Sequence, residues 1–321
     1  MRNYFIRRLL LLIPTIIGIT IVVVGLVRLL PGDAVDAFAD EYRGTAEQIE
    51  EVKAELRAQL GLDRSFPEQW ADWFWNLLQG DLGYSFHGRE RTVWEDIRER
   101  IPVTFELGIL AMIVGLVVAM PVGIYSAVRQ DTAGDYMARG IAILFLAVPS
   151  FWLAILVISI VFPRLGLPPL PIVYRSPTED LIENLRQMYV PAIVLGVSLA
   201  GPVMRLTRAQ MLEVLRQDYI RTARAKGLRE QSVINGHALR NALIPVITLI
   251  GLQVGIVIGG SVIMETIFVL PGMGKRMITA LQSRDTPVVL GIMFCIAIVV
   301  VAANLIVDVT YSMVDPRIRY Q

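Results

Sequence analysis

Few side chains in this sequence could do chemistry. The stretch PGMGKR at 271–276 comes nearest to a phosphate-binding loop. Such a loop needs GxxxxGK[ST], because its amides and lysine cradle phosphates and its hydroxyl holds magnesium. Here Val269 stands where the first glycine belongs, and Arg276 where the hydroxyl belongs. His87 and His237 are the only histidines, and the single cysteine, Cys295, falls in an apolar run. One thiol forms no intrachain disulfide and gives no metal or redox site. HExxH and GxSxG are absent. Glu106, Glu265 and Asp308 lie near the ends of apolar runs, where carboxylates are expected to snorkel or cap rather than relay protons. A formal charge of +1 gives no reason to expect nucleic acid. The residues argue against an enzyme, and against a metal or a cofactor bound by this chain.

What remains is a basic stretch, DYIRTARAKGLREQSVINGHALRN, from Asp218 to Asn241, set between apolar runs. From Arg205 to Lys226 neither glycine nor proline interrupts a helix-compatible pattern. Leu206, Met211, Leu215, Tyr219 and Ala223 supply apolar or small contact points along it. Gly227 permits positive φ and so a sharp turn. A second helix is expected from about Glu230 to Asn241. The segment reads as helix, glycine turn, helix. Ala223 and Ala225 are small enough to allow another surface close. A loop that only supplies positive charge explains Arg205, Arg208 and Arg240, but not a glycine-centred pair of helices.

The surrounding elements are membrane spans. Hydrophobic residues make up 55% of the 321, and the mean hydropathy is +0.57. Six apolar runs lie at about Leu9–Leu30, Leu107–Val128, Ile141–Phe162, Met188–Met204, Ile244–Phe268 and Val288–Val309. A span needs about 20 such residues. The fourth run is short and holds Pro191 and Pro202. The first follows Arg2, Arg7 and Arg8 and is expected to be a retained anchor, because its apolar core is longer than a signal peptide's. Lys and Arg number 15 in the pieces 1–8, 129–140, 205–243 and 310–321, against 6 in 163–187 and 269–287. By the positive-inside rule both termini and the basic stretch face the cytoplasm. The acidic loop at 31–106 then lies outside.

That outer loop has its own order. TAEQIEEVKAELRAQLG reads as a helix, with Thr45 and Gln48 at capping-box spacing, Ile49, Val52, Leu56 and Leu60 as its apolar stripe, and Gly61 as its stop. PEQWADWFWNLLQG, from Pro67 to Gly80, reads as a second. Its face of Trp70, Trp73, Phe74 and Leu77 suits interfacial anchoring or core packing, and alternatively a docking surface for an external partner. In the fifth run Gly251, Gly255 and Gly259 share one face, which suits close helix packing within the chain or a dimer interface.

The basic stretch resembles the EAA loop of permease subunits from ATP-binding cassette (ABC) importers. The general pattern is EAA, three residues, Gly, nine residues, I-x-L-P. Aligned on Gly227, the triplet falls on Arg221, Thr222 and Ala223, and the later positions on His237, Leu239 and Arg240. Ala223, Gly227 and Leu239 match; the acidic residue, the isoleucine and the proline do not. The form RTARAKGL…HALRNALIP resembles the dipeptide/oligopeptide/nickel branch. LLPGDAVD at 29–36, LGLDRSFPEQWADW at 60–73, GDLGYSF at 80–86, RIPVTFEL at 100–107, VPSFWL at 148–153 and ETIFVLPGMGKRM at 265–277 are similar to its B-type subunit, so the resemblance covers nearly the whole chain.

The resemblance implies an all-α polytopic protein of the cytoplasmic (inner) membrane with six transmembrane helices. It has an N-terminal segment and first span at 1–30, an outer loop at 31–102 and a permease core at 103–321. The core includes a cytoplasmic helix-turn-helix coupling loop at 205–243 and a re-entrant-type loop at 268–287. It implies a second homologous permease, two ABC ATPase subunits that bind ATP and Mg, an extracytoplasmic solute-binding protein and a peptide substrate; nickel-chelate or glutathione import is the alternative. Tyr219, Arg221, Thr222, Ala223, Arg224, Ala225, Lys226, Gly227, Leu228, His237 and Leu239 would form the ATPase-coupling surface. Pro271, Gly272, Met273 and Gly274 would shape an irregular re-entrant turn at the outer mouth, or a plain turn. An ion-coupled transporter acting alone would want charge at the membrane midplane, which the sequence lacks. A membrane scaffold without a path would bind no ATPase through this loop.

Overall fold

The computed structural model describes residues 2–29, 35, 45–59, 61–86 and 91–314. The described residues form an all-α molecule whose only β feature is an isolated bridge between Tyr84 and Thr92. The helices are α1 (Arg2–Arg28), α2 (Ala46–Gln59), α3 (Phe66–Leu78), α4 (Val93–Val128), α5 (Ala133–Ala147) and α6 (Ser150–Arg164). They continue with α7 (Leu181–Leu215), α8 (Asp218–Ala225), α9 (Glu230–Ile267), α10 (Met273–Gln282) and α11 (Thr286–Val314). Within α1, α4, α7, α9 and α11 lie stretches long and apolar enough to cross a membrane; α5 with α6 makes a sixth if the bent pair is one span.

Two spans depart from expectation. The third apolar run is not straight: α5 and α6 meet at 95°. Val148 is extended, with φ −90° and ψ 118°, and Pro149 follows it. Proline disfavours helical backbone in the residue before it and cannot donate to the preceding turn, so VPS ends one helix and starts another. The fourth run is not short. It is the middle of the 35-residue α7, which keeps both Pro191 and Pro202 inside. Its apolar window is 67% buried, the highest share of any span. Packing of neighbouring helices lets a transmembrane helix carry prolines that an isolated one would not.

Two compact units cluster from the described residues. One comprises Val103–Pro271 with the chain from Ala302; the other comprises Arg2–Pro102 and Gly272–Val301. In the first, glycines let helices touch backbone to backbone. A Cβ on Gly196 of α7 would lie 2.5 Å from the Ala111 carbonyl oxygen of α4, and one on Gly123 would lie 2.9 Å from that of Met204. Within the chain the Gly251, Gly255, Gly259 face is engaged at one end only. A Cβ on Gly251 would stand 2.1 Å from Val307 Cγ2, Gly255 is half-buried, and Gly259 has nothing within 4 Å. Gly196→Ala is expected to cost about 1–3 kcal/mol by overpacking. Thermal unfolding in detergent checks this against Gly140→Ala, whose Cβ meets nothing within 4 Å. Equal effects would remove the close-approach argument.

In the second unit the cap and the stop expected for α2 hold, and α3 has a cap of its own. Thr45 and Gln48 exchange backbone-to-side-chain hydrogen bonds at 3.0 and 3.4 Å. Ser65 donates its amide to Glu68 at 3.0 Å, starting α3. Gly61 takes φ +67° after α2. Trp70 and Trp73 pack against Val23 and Val24 of α1. Trp70 Nε1 also donates to Thr20 Oγ1 at 3.1 Å. These rings are half-buried against α1, while Trp75 on the opposite face is 65% exposed. Most of LLPGDAVD and the side chains of Leu56, Leu60 and Asp308 lie outside the described residues, as does His87.

Candidate functional site

The basic stretch builds a hairpin whose details differ from the sequence pattern. The expected helix from Arg205 to Lys226 breaks at Arg216 and Gln217. Arg216 closes α7, and Gln217 is extended, with φ −71° and ψ 149°, before α8. No glycine or proline marks the break. Its physical cause is burial: the turn swings Ile220 under the hairpin, where it is fully buried with Met211, Ala223, Val233, Ala238 and Ala242, beside Ala127 at the end of α4. Asp218 opens α8, where a carboxylate suits the positive end of the helix dipole.

At its other end α8 closes in a Schellman motif. Gly227 N donates to the Arg224 carbonyl at 2.9 Å, and Leu228 N to that of Ala223 at 3.4 Å. Such a turn needs a left-handed residue after the cap, and Gly227 has φ +76°. Arg224 closes the turn from outside, its fork meeting both Glu230 oxygens at 2.7 and 3.2 Å. That hydrogen bonding holds the Arg224 pKa above its ordinary value.

The second helix is not separate. It starts at Glu230, widens to a π segment at Val233–Ala238, and runs on through the fifth span to Ile267. The wider turn puts both Val233 and Ala238 into the buried cluster beneath α8. Asn241 Nδ2 donates to Tyr219 Oη at 2.8 Å, tying α8 to the base of α9.

The hairpin therefore has two faces. Arg221, Thr222, Arg224, Ala225, Lys226, Gly227, Leu228 and His237 are exposed, and Tyr219 is 43% exposed. Ala223 is 7% exposed and turned inward, and Leu239 is half-buried against the same cluster. The expected role of Ala223 as an outward contact changes accordingly: an Ala223→Arg change would first unpack the hairpin itself. Ala225 remains the small residue on the open side.

The PGMG segment also differs from expectation. The irregular part is confined to 268–272, with Val269 at φ +58° and Leu270 N bonded to the Glu265 carbonyl at 2.9 Å. Gly272 is the N-cap of α10, and Met273 and Gly274 are buried in its first turn. A regular helix thus stands where a re-entrant turn was expected, because only Pro271 and Gly272 interrupt helical propensity.

Several functional-looking contacts were not legible beforehand. In the unit holding α10, Arg276 donates to Asp96 at 2.6 Å and to Asp285 at 3.3 Å. Asp285 is fully buried and also accepts from the Ser85 hydroxyl at 2.5 Å and the Phe86 amide at 3.1 Å. GDLGYSF and PGMGKRM, far apart in sequence, are joined by one ion network. In the other unit Asp135 is fully buried and takes the Arg208 fork at 2.8 Å on each oxygen. Glu265 does not snorkel; it is fully buried and accepts from Thr104 Oγ1 at 2.7 Å. Glu106 accepts from the Tyr174 hydroxyl at 2.8 Å. Burial, then this carboxylate, raises the Tyr174 pKa. Among the described residues no group of His, Cys, Asp and Glu could hold a metal.

Comparison with known proteins gives this geometry a context. Residues 119–320 match the family described as binding-protein-dependent transport system inner membrane component, and residues 1–108 match the corresponding N-terminal family. The dipeptide transport system permease protein DppB of Escherichia coli K12 is 41% identical over 343 aligned residues, covering 100% of both chains. The di/tripeptide transport system permease protein DppB of Pseudomonas aeruginosa UCBPP-PA14 is 38% identical, again over 100% of both. The fold resembles a chain of an amino acid ABC transporter (TM-score 0.53, 12% identity, covering 68% of this chain and 94% of that one). It also resembles a chain of the inward-facing MetNI methionine ABC transporter (TM-score 0.53, 18% identity, 68% and 96%).

Proposed function

The chain belongs to the binding-protein-dependent transport system inner membrane component family and is a permease subunit of a peptide ABC importer; from that premise we propose that the exposed face of α8 and its Gly227 turn is where one of two cytoplasmic ATPase subunits acts on the path. The observation that carries this is the two-faced hairpin. Ile220 and Ala223 anchor it to α4, α7 and α9, while Arg221, Thr222, Arg224 and Lys226 stay exposed toward a partner. A rigidly anchored element with an open polar face transmits displacement, which is what coupling between subunits requires.

In this reading ATP and Mg act in the ATPases, and this chain contributes no catalytic group. A second permease completes the path, and an extracytoplasmic binding protein delivers peptide. Both termini and the hairpin face the cytoplasm, as the Lys and Arg distribution favours. The working division is an anchor at 1–30, an outer region at 31–102 and a permease core at 103–321, with Pro271–Gly274 near the outer mouth.

The test is uptake of a labelled dipeptide into proteoliposomes holding the assembled transporter. Uptake is expected to need internal ATP and external binding protein, and to fall when longer peptides compete. Uptake by the purified chain under an ion gradient alone would overturn the assignment. Within this assay Arg224→Ala separates coupling from stability. Its exposed pair with Glu230 is worth under about 1 kcal/mol, so thermal unfolding should barely move. Uptake is expected to drop severalfold; unchanged uptake would exclude Arg224 from the coupling face.

A further inference from the structure

We propose that the recess between α4, α5 and α7 binds a phosphate group, supplied by the headgroup of an anionic phospholipid. The recess is half open to its surroundings, encloses about 20 Å³ and is lined by Ser126, Ala142, Met204, Arg139, Arg205 and Arg208, among others. Three arginines thus line one cleft, and Asp135 is the carboxylate that two of them, Arg208 and Arg139, face.

That carboxylate is already satisfied. Arg208 binds both its oxygens, and the Ser126 hydroxyl and the Asp131 amide donate to it as well. Arg139 is the looser ion-pair partner of that carboxylate. Its Nε is 3.6 Å from Asp135 Oδ1, beyond hydrogen-bonding distance, and its Nε and Nη2 are buried with no acceptor. The Tyr136 ring lies 4.3 Å from the guanidinium carbon and holds its plane. Arg205 has no ion-pair partner among the described residues. Buried guanidinium donors without acceptors are costly, and a planar fork matches a phosphate's oxygens better than water or a halide does.

The surroundings favour a lipid source. Val122, Ala142 and Met204 give the recess an apolar wall. Outside it, Met137, Ile141 and Leu144 of α5 are exposed at one-turn spacing, which suits acyl chains running along the helix. Basic pockets between spans near a cytoplasmic leaflet attract acidic headgroups. Free inorganic phosphate shares the chemistry and is the other source.

Native mass spectrometry of the assembled transporter, delipidated and then supplied with phosphatidylglycerol or phosphatidylcholine, tests the site. Phosphatidylglycerol is expected to be retained and phosphatidylcholine not. Arg139→Gln and Arg205→Gln should each reduce that retention about tenfold, the loss of one charge-assisted contact, while the exposed Arg129→Gln should not. Arg139→Lys, which keeps the charge but not the fork, should fall between. Inorganic phosphate is titrated in parallel. Saturable phosphate binding lost in the same two variants, without lipid retention, would assign the phosphate site to a free anion and overturn the lipid source. Wild-type retention by both Arg→Gln variants, or equal retention of the two lipids with no phosphate binding, would overturn the site. Should Arg139→Gln fail to assemble, Arg205→Gln on the exposed rim decides alone.

Discussion

Gly227→Val is expected to abolish ATP-dependent uptake while the chain still inserts and assembles. Gly227 sits at φ +76°, where a Cβ crowds the following carbonyl at a cost of about 1–2 kcal/mol, and a β-branched side chain adds to it. No atom lies within 4 Å of the position a Cβ would take. The penalty is therefore conformational, and the chain escapes it by abandoning the left-handed turn. Leu228 and Gly227 then lose their hydrogen bonds to Ala223 and Arg224, and the Arg224–Glu230 clasp across the turn opens. The spans are untouched, so insertion and thermal unfolding of the membrane core should stay near wild type. Gly227→Asn supplies the contrast, because asparagine tolerates left-handed backbone and should keep most of the uptake. Normal uptake by the valine variant, or equal loss in both variants, would show that the turn geometry does not carry coupling.

Arg208→Met is expected to destabilise the permease core by about 3–5 kcal/mol, the usual loss when one partner of a buried pair is removed. Asp135 is wholly buried, so without the guanidinium its charge keeps only the Ser126 hydroxyl, the Asp131 amide and the more distant Arg139. Adding Asp135→Asn removes the stranded charge and should restore more than half of the loss, since an amide and a thioether can pack where the ion pair stood. Chemical or thermal unfolding in detergent reads both. An additive double variant would mean the two side chains do not depend on each other, against the 2.8 Å fork between them.

Local signals carried far in the sequence, and long-range ones did not. The Thr45–Gln48 cap was readable because each partner is three residues from the other; the Ser65–Glu68 cap has the same spacing and was not read. Gly227 was readable because positive φ selects glycine almost by itself. The apolar runs gave the spans because bilayer thickness sets their length. The bend at Val148–Pro149 was present in the letters, but hydropathy averaged over it. The break at Arg216–Gln217 was hidden because no breaking residue marks it; the burial of Ile220 does. Arg208 with Asp135, Arg276 with Asp96 and Asp285, and Thr104 with Glu265 join residues distant along the chain, and a single sequence does not pair them. The inward turn of Ala223 was missed for the same reason: its neighbours come from α4 and α9.

The union of the hairpin's second arm with the fifth span has a mechanical consequence. Glu230–Ile267 is one 38-residue helix, about 57 Å of rod at 1.5 Å per residue. Its wide-turn segment at Val233–Ala238 lies immediately beyond the Gly227 bend, where a push would be applied. Tilting such a rod by 5° about that end displaces the other by roughly 5 Å, more than a water diameter. If the hairpin is the coupling element proposed above, it would need to travel only a fraction of a helix diameter to shift the far end of the fifth span by that much.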